Sequence, residues 1–319
     1  MAPSTGRDLH VDVPLSNVTV NRRPDGFIAD QFIPVTPVDK QSNMYYKFRH
    51  GEWRRYENGL TLRAPATEAK KVHMTVSSDT YFCPNYALGT DWPVEDEVNA
   101  DAILNWASNH ANFLTDRLLM DYEYRIAQFA VNTSNVRTVT LVGCGWFNQT
   151  APIFTQMLAY KEQFRQATGM VPNLLLIPEA LSQYWKTNNE LRDILYGDRG
   201  GVPSAQQLAG LLEINKVLIP RVQVNTAGET ETENGSGTLS DVWGTTSIIM
   251  AYTSTLAGQM TDTWINAFRW TSPALGTPWA VERFPYDVRK KCYTLEVGYY
   301  QGEKVVSSDL AMRIIVNSQ

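Results

Sequence analysis

His10, His50, His73 and His110 are the imidazole bases this chain could bring to proton-transfer chemistry, and no recognisable motif surrounds any of them. The sequence has no G-x-S-x-G elbow, no P-loop and no H-E-x-x-H pair, so neither a nucleophile nor a phosphate cradle is signalled. Cys83, Cys144 and Cys292 stand far apart, odd in number and without C-x-x-C spacing. That arrangement indicates neither a disulfide framework nor a zinc site, and it fits a reducing compartment. Gly143-Cys144-Gly145 resembles the start of a dinucleotide fingerprint, but Asn148 stands where the third glycine belongs and no series of βαβ units follows. Glu229, Glu231 and Glu233 alternate in a stretch rich in Gly, Thr, Ser and Asn, which reads as a solvated loop because no EF-hand spacing is present. Asp96 and Glu97 read as a helix cap. No catalytic, cofactor-binding or metal-ligating residue is assigned, and the expectation is a protein that is not an enzyme.

The strongest local constellation is Met44-Tyr45-Tyr46-Lys47-Phe48-Arg49-His50-Gly51-Glu52-Trp53-Arg54-Arg55-Tyr56. Cations interleaved with aromatics match a surface on which nucleic-acid bases stack. The same composition suits a projecting hairpin whose aromatics face a neighbouring chain, and that second reading is preferred. Residues of strand type followed by Asn58-Gly59 and Leu60-Thr61-Leu62-Arg63 predict a long β-hairpin over about 44–76, with a further strand at Lys70–Thr75. A two-stranded projection has little core of its own and gains stability by packing on a partner. Tyr46, Phe48, Trp53, Arg54 and Arg55, with Phe27 and Phe32 upstream, are therefore the expected intersubunit contacts.

One long helix must position this hairpin. Ile103, Ala107, Ala111, Leu114, Leu118, Tyr122, Ile126 and Phe129 recur at three- and four-residue steps over Asp101–Ala130. The opposite side carries Asn109, Asn112, Asp116, Glu123 and Arg125, and Pro93 with Glu95, Asp96 and Glu97 supplies an N-terminal signal. A helix of that span would be about 45 Å long, a beam across a flat molecule. Before it, Pro3, Pro14, Pro24, Pro34 and Pro37 punctuate sparse apolar groups, which predicts an extended arm without regular helix. After it, strands at Thr138–Val142, Asn173–Ile177, Lys216–Val224 and Ser247–Tyr252 alternate with helices at about Ile153–Thr168, Pro178–Lys186, Asn188–Tyr196 and Ser204–Leu212. That alternation reads as an α/β unit. Strands return at Trp264–Trp270, Trp279–Phe284, Lys291–Tyr300 and Leu310–Val316, with Gln301-Gly302 as a turn, and are expected to form a sheet beneath the long helix.

The totals agree with a folded chain. It has 319 residues, 43% of them hydrophobic, and a net charge of −5 from 28 basic and 33 acidic residues. This balance gives no global reason to bind nucleic acid or an anionic membrane. Met1–Pro14 lacks the apolar core of a signal peptide, and no stretch approaches the ~20 apolar residues of a membrane span. A cytoplasmic location is expected, and the N-x-[ST] matches at Asn17, Asn132, Asn148 and Asn234 are taken as chance.

Several stretches, in this order, resemble tailed-bacteriophage major capsid proteins of the Hong Kong 97-type fold. They are Leu15-Ser16-Asn17-Val18, Gly26-Phe27-Ile28-Ala29-Asp30 with Phe32-Ile33-Pro34-Val35, Leu62-Arg63-Ala64-Pro65, and Asp79-Thr80-Tyr81 with Tyr86-Ala87-Leu88. Ala167-Thr168-Gly169 with Pro172-Asn173, Val222-Gln223-Val224-Asn225-Thr226, and Trp243-Gly244 follow. The resemblance implies an α+β fold with an N-terminal arm (1–43) and an extended loop (44–76). It further implies a peripheral domain (77–151 and 257–319) with a spine helix, and an axial domain (152–256). It implies self-assembly into hexamers and pentamers of an icosahedral shell around double-stranded DNA, held by non-specific contact. The implied partners are a portal, a possible decoration protein and, since no long charged helical segment precedes Leu15, a separate scaffolding protein. The implied location is the virion, assembled in the host bacterial cytoplasm. A cellular nanocompartment shell of encapsulin type is the alternative. Lys47, Lys70 and Lys71 carry no motif for a covalent crosslink, so non-covalent assembly is expected.

Overall fold

A computed structural model describes residues 10–11, 26–48, 55–56, 61–73, 75–99, 105–141, 145–197, 200–226, 238–254, 262–271 and 279–316. The elements begin with β1 (His10–Val11), the single helical turn α1 (Ala29–Phe32), β2 (Val35–Val38), β3 (Ser42–Phe48), β4 (Val76–Phe82) and β5 (Asn85–Pro93). They continue through α2 (Val94–Asn99), the long α3 (Trp106–Val131), β6 (Arg137–Leu141), α4 (Ile153–Thr168), β7 (Leu174–Leu176) and α5 (Glu179–Thr187). Next come α6 (Asn189–Tyr196), α7 (Ala205–Leu212), β8 (Lys216–Leu218), the paired β9 (Gln223–Asn225) and β10 (Leu239–Asp241), and β11 (Ser247–Ala251). The last are β12 (Ile265–Trp270), β13 (Trp279–Arg283), β14 (Cys292–Val305) and β15 (Ala311–Val316).

Two sheets share one core with the long helix. The first has the order β1-β13-β14-β12-β2, with β5 on the other flank of β14. Fourteen residues long, β14 serves both ends of this sheet: Cys292–Tyr300 pairs with β5, and Gln301–Val305 pairs with β12. Its alternate residues Leu295, Val297 and Tyr299, with Trp279 and Val281 of β13, share a face and are buried in the same core as α3.

Helix α3 forms because Asn105 caps it, accepting the Ser108 N–H at 3.1 Å, and because neither Pro nor Gly interrupts its 26 residues. Its length is about 39 Å. Ala111, Leu114, Leu118, Tyr122, Ile126 and Ala130 form the buried stripe that the periodicity predicts. The helix starts later than the sequence suggests: Glu95, Asp96 and Glu97 instead open the separate short helix α2. Residues 101–104, with Ile103, lie outside the described residues.

The second sheet has the order β6-β15-β11-β7-β8. All five residues of β11 are buried, because both of its faces are covered. Ile249 and Ala251 join the core around α3, while Ile248 and Met250 join a second cluster with Met157, Phe164 and Trp185. The four helices of the α/β unit lie within two residues of the positions read from the sequence.

Several further expectations are corrected. The partner of β3 is Val76–Phe82, not Leu60–Arg63, and Lys70–His73 with Thr75 form no strand, so β3 and β4 make a ribbon whose strands lie 28 residues apart in sequence at their paired ends Phe48 and Val76. The Asn58-Gly59 signal lies outside the described residues. Gln301-Gly302 is no turn but lies within β14, where a Cβ on Gly302 would lie 2.0 Å from the Phe82 carbonyl oxygen. This glycine is required by a close backbone approach. The strand Ala311–Val316 joins the second sheet, between β6 and β11, rather than the sheet beneath α3. Finally, Pro220 divides Lys216–Val224 into β8 and β9, and α1 gives the arm a helical turn in the proline-free interval between Pro24 and Pro34.

Candidate functional site

Among the described residues, no group of three or more His, Cys, Asp or Glu side chains could hold a metal ion. Cys83 and Cys292 are buried free thiols, and burial pushes the Cys83 thiol up to about 11, away from nucleophilic use.

The arm is held by Glu123. Its carboxylate accepts the backbone N–H of Ile28 at 3.0 and 3.2 Å, that of Ala29 at 2.8 Å and the Trp243 indole N–H at 2.6 Å. Three elements are thereby joined at one buried carboxyl group: the start of α1, the middle of α3 and the turn before β11. Burial pushes the Glu123 carboxyl up, against the pull of these donors toward the ionised form. Phe32 is 0% exposed and sits edge-on to Trp243 and Trp264, with ring centroids at 4.9 and 5.6 Å. Ile28, Ala29 and Ile33 are buried beside it.

A polar chain continues from the arm across the first sheet. Arg269 reaches Asp30 at 3.4 Å and donates to the Gln301 side-chain oxygen at 2.6 and 2.9 Å. Gln301 donates to Glu303 at 2.9 Å, and Glu303 accepts both contacts of Arg125 Nη1 at 2.8 and 3.0 Å. Arg125 also donates to the Tyr299 hydroxyl at 3.0 Å and lies 3.8 Å from the centre of the Tyr86 ring. These bonds fix α3 on β14 and orient the sheet edge that carries the arm.

The β3–β4 ribbon is held differently. Tyr45 and Tyr81 point inward, with Tyr81 stacked on Phe268 at 4.5 Å and Tyr45 at 5.2 Å from the same ring. Tyr81 donates to the Lys40 carbonyl at 3.1 Å. Lys47 and Tyr45 both reach Asp79, at 2.7 and 3.3 Å, and the hydrogen bond from Lys47 holds that carboxyl down at about 2. The opposite side of the ribbon presents Met44, Tyr46, Val76 and Phe82 to solvent. Between β2 and the ribbon runs a groove of about 710 Å³, walled by Val35, Val38, Tyr45, Tyr81 and Phe268 with Lys216 at its edge.

The expected contact residues therefore separate. Tyr46 is half exposed on the ribbon and Arg55 is exposed, whereas Phe27 is half-buried against the core around α3. Phe32 is corrected: its own chain encloses it completely, leaving no surface for a neighbour. Phe48 ends β3 opposite Val76, and Trp53 and Arg54 lie outside the described residues. Sequence reasoning placed Glu123 on the polar face of α3. The missed signal was Thr115, Leu119 and Ala127, all buried, which make a second four-residue stripe through position 123.

No protein-family model matches the sequence, and no curated protein matches it. Solved structures do match it in fold over nine-tenths or more of its length. A phage-related protein from Bordetella bronchiseptica RB50 superposes with a TM-score of 0.73 at 20% identity, over 96% of this chain and 97% of that one. The capsid of cyanophage P-SCSP1u gives 0.59 at 9% identity, over 90% and 87% of the two chains. A virus-like particle from Pyrococcus furiosus gives 0.54 at 10% identity, over 94% and 95%. The fold is the α+β Hong Kong 97-type fold of phage capsid proteins.

Proposed function

We propose that this chain is a major capsid protein, which self-assembles into hexamers and pentamers of an icosahedral head shell around the double-stranded DNA of a tailed bacteriophage. The observation that carries this reading is the end-to-end match in fold to capsid proteins, with nothing large left over on either side. The ribbon supports it independently. It exposes Met44, Tyr46 and Phe82 on a two-stranded element with no second layer on that face among the described residues, as expected of a surface completed by an adjacent copy. Heterologous contacts of this kind close into rings when repeated.

In this reading the second sheet with its helices acts as the axial domain, enlarged from residues 152–256 by β6 and β15. The first sheet with α3 acts as the peripheral domain. Residues 44–76 act as the extended loop toward a neighbour, with Tyr46, Phe48, Trp53, Arg54 and Arg55 as its contacts. A separate scaffolding protein, a portal and a possible decoration protein complete the assembly, which takes place in the bacterial cytoplasm and ends in the virion. DNA is contacted without sequence readout. The protein performs no catalysis and takes no cofactor.

The second reading is an encapsulin-like nanocompartment shell, because the virus-like particle from Pyrococcus furiosus shares the fold. Electron microscopy of the chain expressed alone and with its neighbouring genes separates the two. Closed particles with packaged DNA and a portal vertex are expected. Particles filled with an enzyme select the nanocompartment, and a chain that stays monomeric at high concentration removes both.

A further inference from the structure

The first turn of α3 is fastened to β5 by three stacked rings. His110 lies parallel to Trp92, with centroids 5.0 Å apart and planes 7° from parallel, and on Trp106 at 5.4 Å and 26°. Its Nε2 is buried and has no hydrogen-bond partner among the described residues. Capsid assembly as proposed above makes no use of an imidazole, and a phenylalanine ring would stack as well.

We infer that His110 is a proton-operated clasp, which holds the head of the long helix on the sheet while its ring is neutral and releases it when the imidazolium forms. The bare Nε2 carries the argument. Protonation there creates a charged N–H at a buried position between two indoles, with no acceptor among the described residues to receive it. The indole faces attract a cation, which offsets part of that cost but supplies no lone pair in the ring plane. Among the described residues, the charged and titratable groups on the surrounding elements do not supply one either. Glu97 of α2 is engaged by the Trp92 indole N–H at 3.1 Å. Tyr293 of β14 lies 5.9 Å from the Trp92 ring, with Arg283 of β13 over its own ring at 5.0 Å. From α3 itself, the positions one turn away are Trp106, Ala107, Phe113 and Leu114, none of them charged.

Burial accordingly pushes the His110 ring below its ordinary value. With the folded value depressed, the clasp's contribution is full above the unfolded histidine value of about 6.5 and is lost as the pH falls through the folded value. The effect is local to the head of α3, because the lower stripe from Leu118 to Ala130 is buried in the main core without any imidazole.

The test is residue-resolved NMR on the full chain under conditions that keep it unassembled, between pH 7.5 and 5. The histidine ring signals are titrated alongside amide-exchange protection, in the wild type and in His110→Phe. His110 is expected to titrate below about 6.5, with protection of the Ala107–Leu114 amides lost over the same interval. His110→Phe is expected to keep that protection down to pH 5. Titration of His110 at or above the ordinary value overturns the inference, as does a His110→Phe variant that loses protection as the wild type does. If His110→Phe does not fold, the wild type decides alone: protection lost at a pH where the His110 ring is not titrating overturns the clasp.

Discussion

The arm and the ribbon look alike in sequence, each a run of a few large apolar residues with no core of its own, yet they obtain their burial in opposite ways. Arm residues Ile28, Ala29, Phe32 and Ile33 are enclosed by their own chain, clamped by Glu123 and by Trp243 and Trp264. The ribbon buries one edge of aromatics on Phe268 and leaves the other, with Met44, Tyr46 and Phe82, in solvent. A segment poor in apolar residues is thus not necessarily one that waits for a neighbour. What decides is whether the rest of the chain offers a slot of matching shape and a partner for the freed backbone N–H groups. For the arm, Glu123 supplies that partner.

The sharpest break of this comparison is Phe32→Ala. If the arm is part of the monomer's core, removing the ring leaves a cavity beside two tryptophans and destabilises the chain by about 3–5 kcal/mol. Denaturant unfolding followed by tryptophan fluorescence measures it. A variant as stable as the wild type that fails only in assembly would place the arm with the ribbon instead.

Glu123→Gln comes next. The amide keeps the shape but turns an N–H₂ toward donors that a carboxylate oxygen had accepted, at a cost of roughly 1–3 kcal/mol. Its pH dependence gives the sign. Burial raises the folded value above the unfolded one, so the carboxyl's contribution is fully present below the unfolded value of about 4.3 and is lost as pH rises through the folded value. The stability difference between wild type and Glu123→Gln should therefore shrink from pH 4 toward pH 7. A difference that grows with pH would mean that the N–H donors outweigh burial.

Local regularities were legible in the residues and pairings across long sequence distances were not. The stripe Ala111–Leu114–Leu118–Tyr122–Ile126 announces α3, and the helices of the α/β unit announce themselves by period and caps such as Ser204 with Gln207. The alternation in Leu310–Val316 marks a strand correctly, but which sheet receives it depends on Ser247–Ala251, some sixty residues earlier, and no local signal encodes that. Asn58-Gly59 drew the register of the hairpin to itself, although β3 pairs with a strand on the far side of a long excursion. The role of Glu123 is not legible locally because a carboxylate on a helix is ordinarily solvated, and its burial becomes intelligible only with Ile28, Ala29 and Trp243 brought to it from distant positions. The expected contact Tyr46 stands on exposed surface because, among the described residues, the ribbon has no second layer there, and Arg55, outside the ribbon, is exposed as well, whereas Phe32 is enclosed by tryptophans that sequence distance concealed.

The smallest expected change in monomer stability is the most telling for the ribbon. Met44 and Tyr46 alternate with Tyr45 along β3, so their side chains leave the face that packs on Phe268 and stand in solvent. Both side chains are half or more exposed, so substituting both by serine removes little intrachain packing, and the monomer should stay within about 0.5 kcal/mol of wild type. In a shell the same two side chains would face an adjacent copy, so assembly monitored by light scattering and electron microscopy should fail while unfolding stays unchanged. The opposite pattern, normal particles from a monomer weakened by more than about 1.5 kcal/mol, would mean that the ribbon, like the arm, finds its partner within the chain.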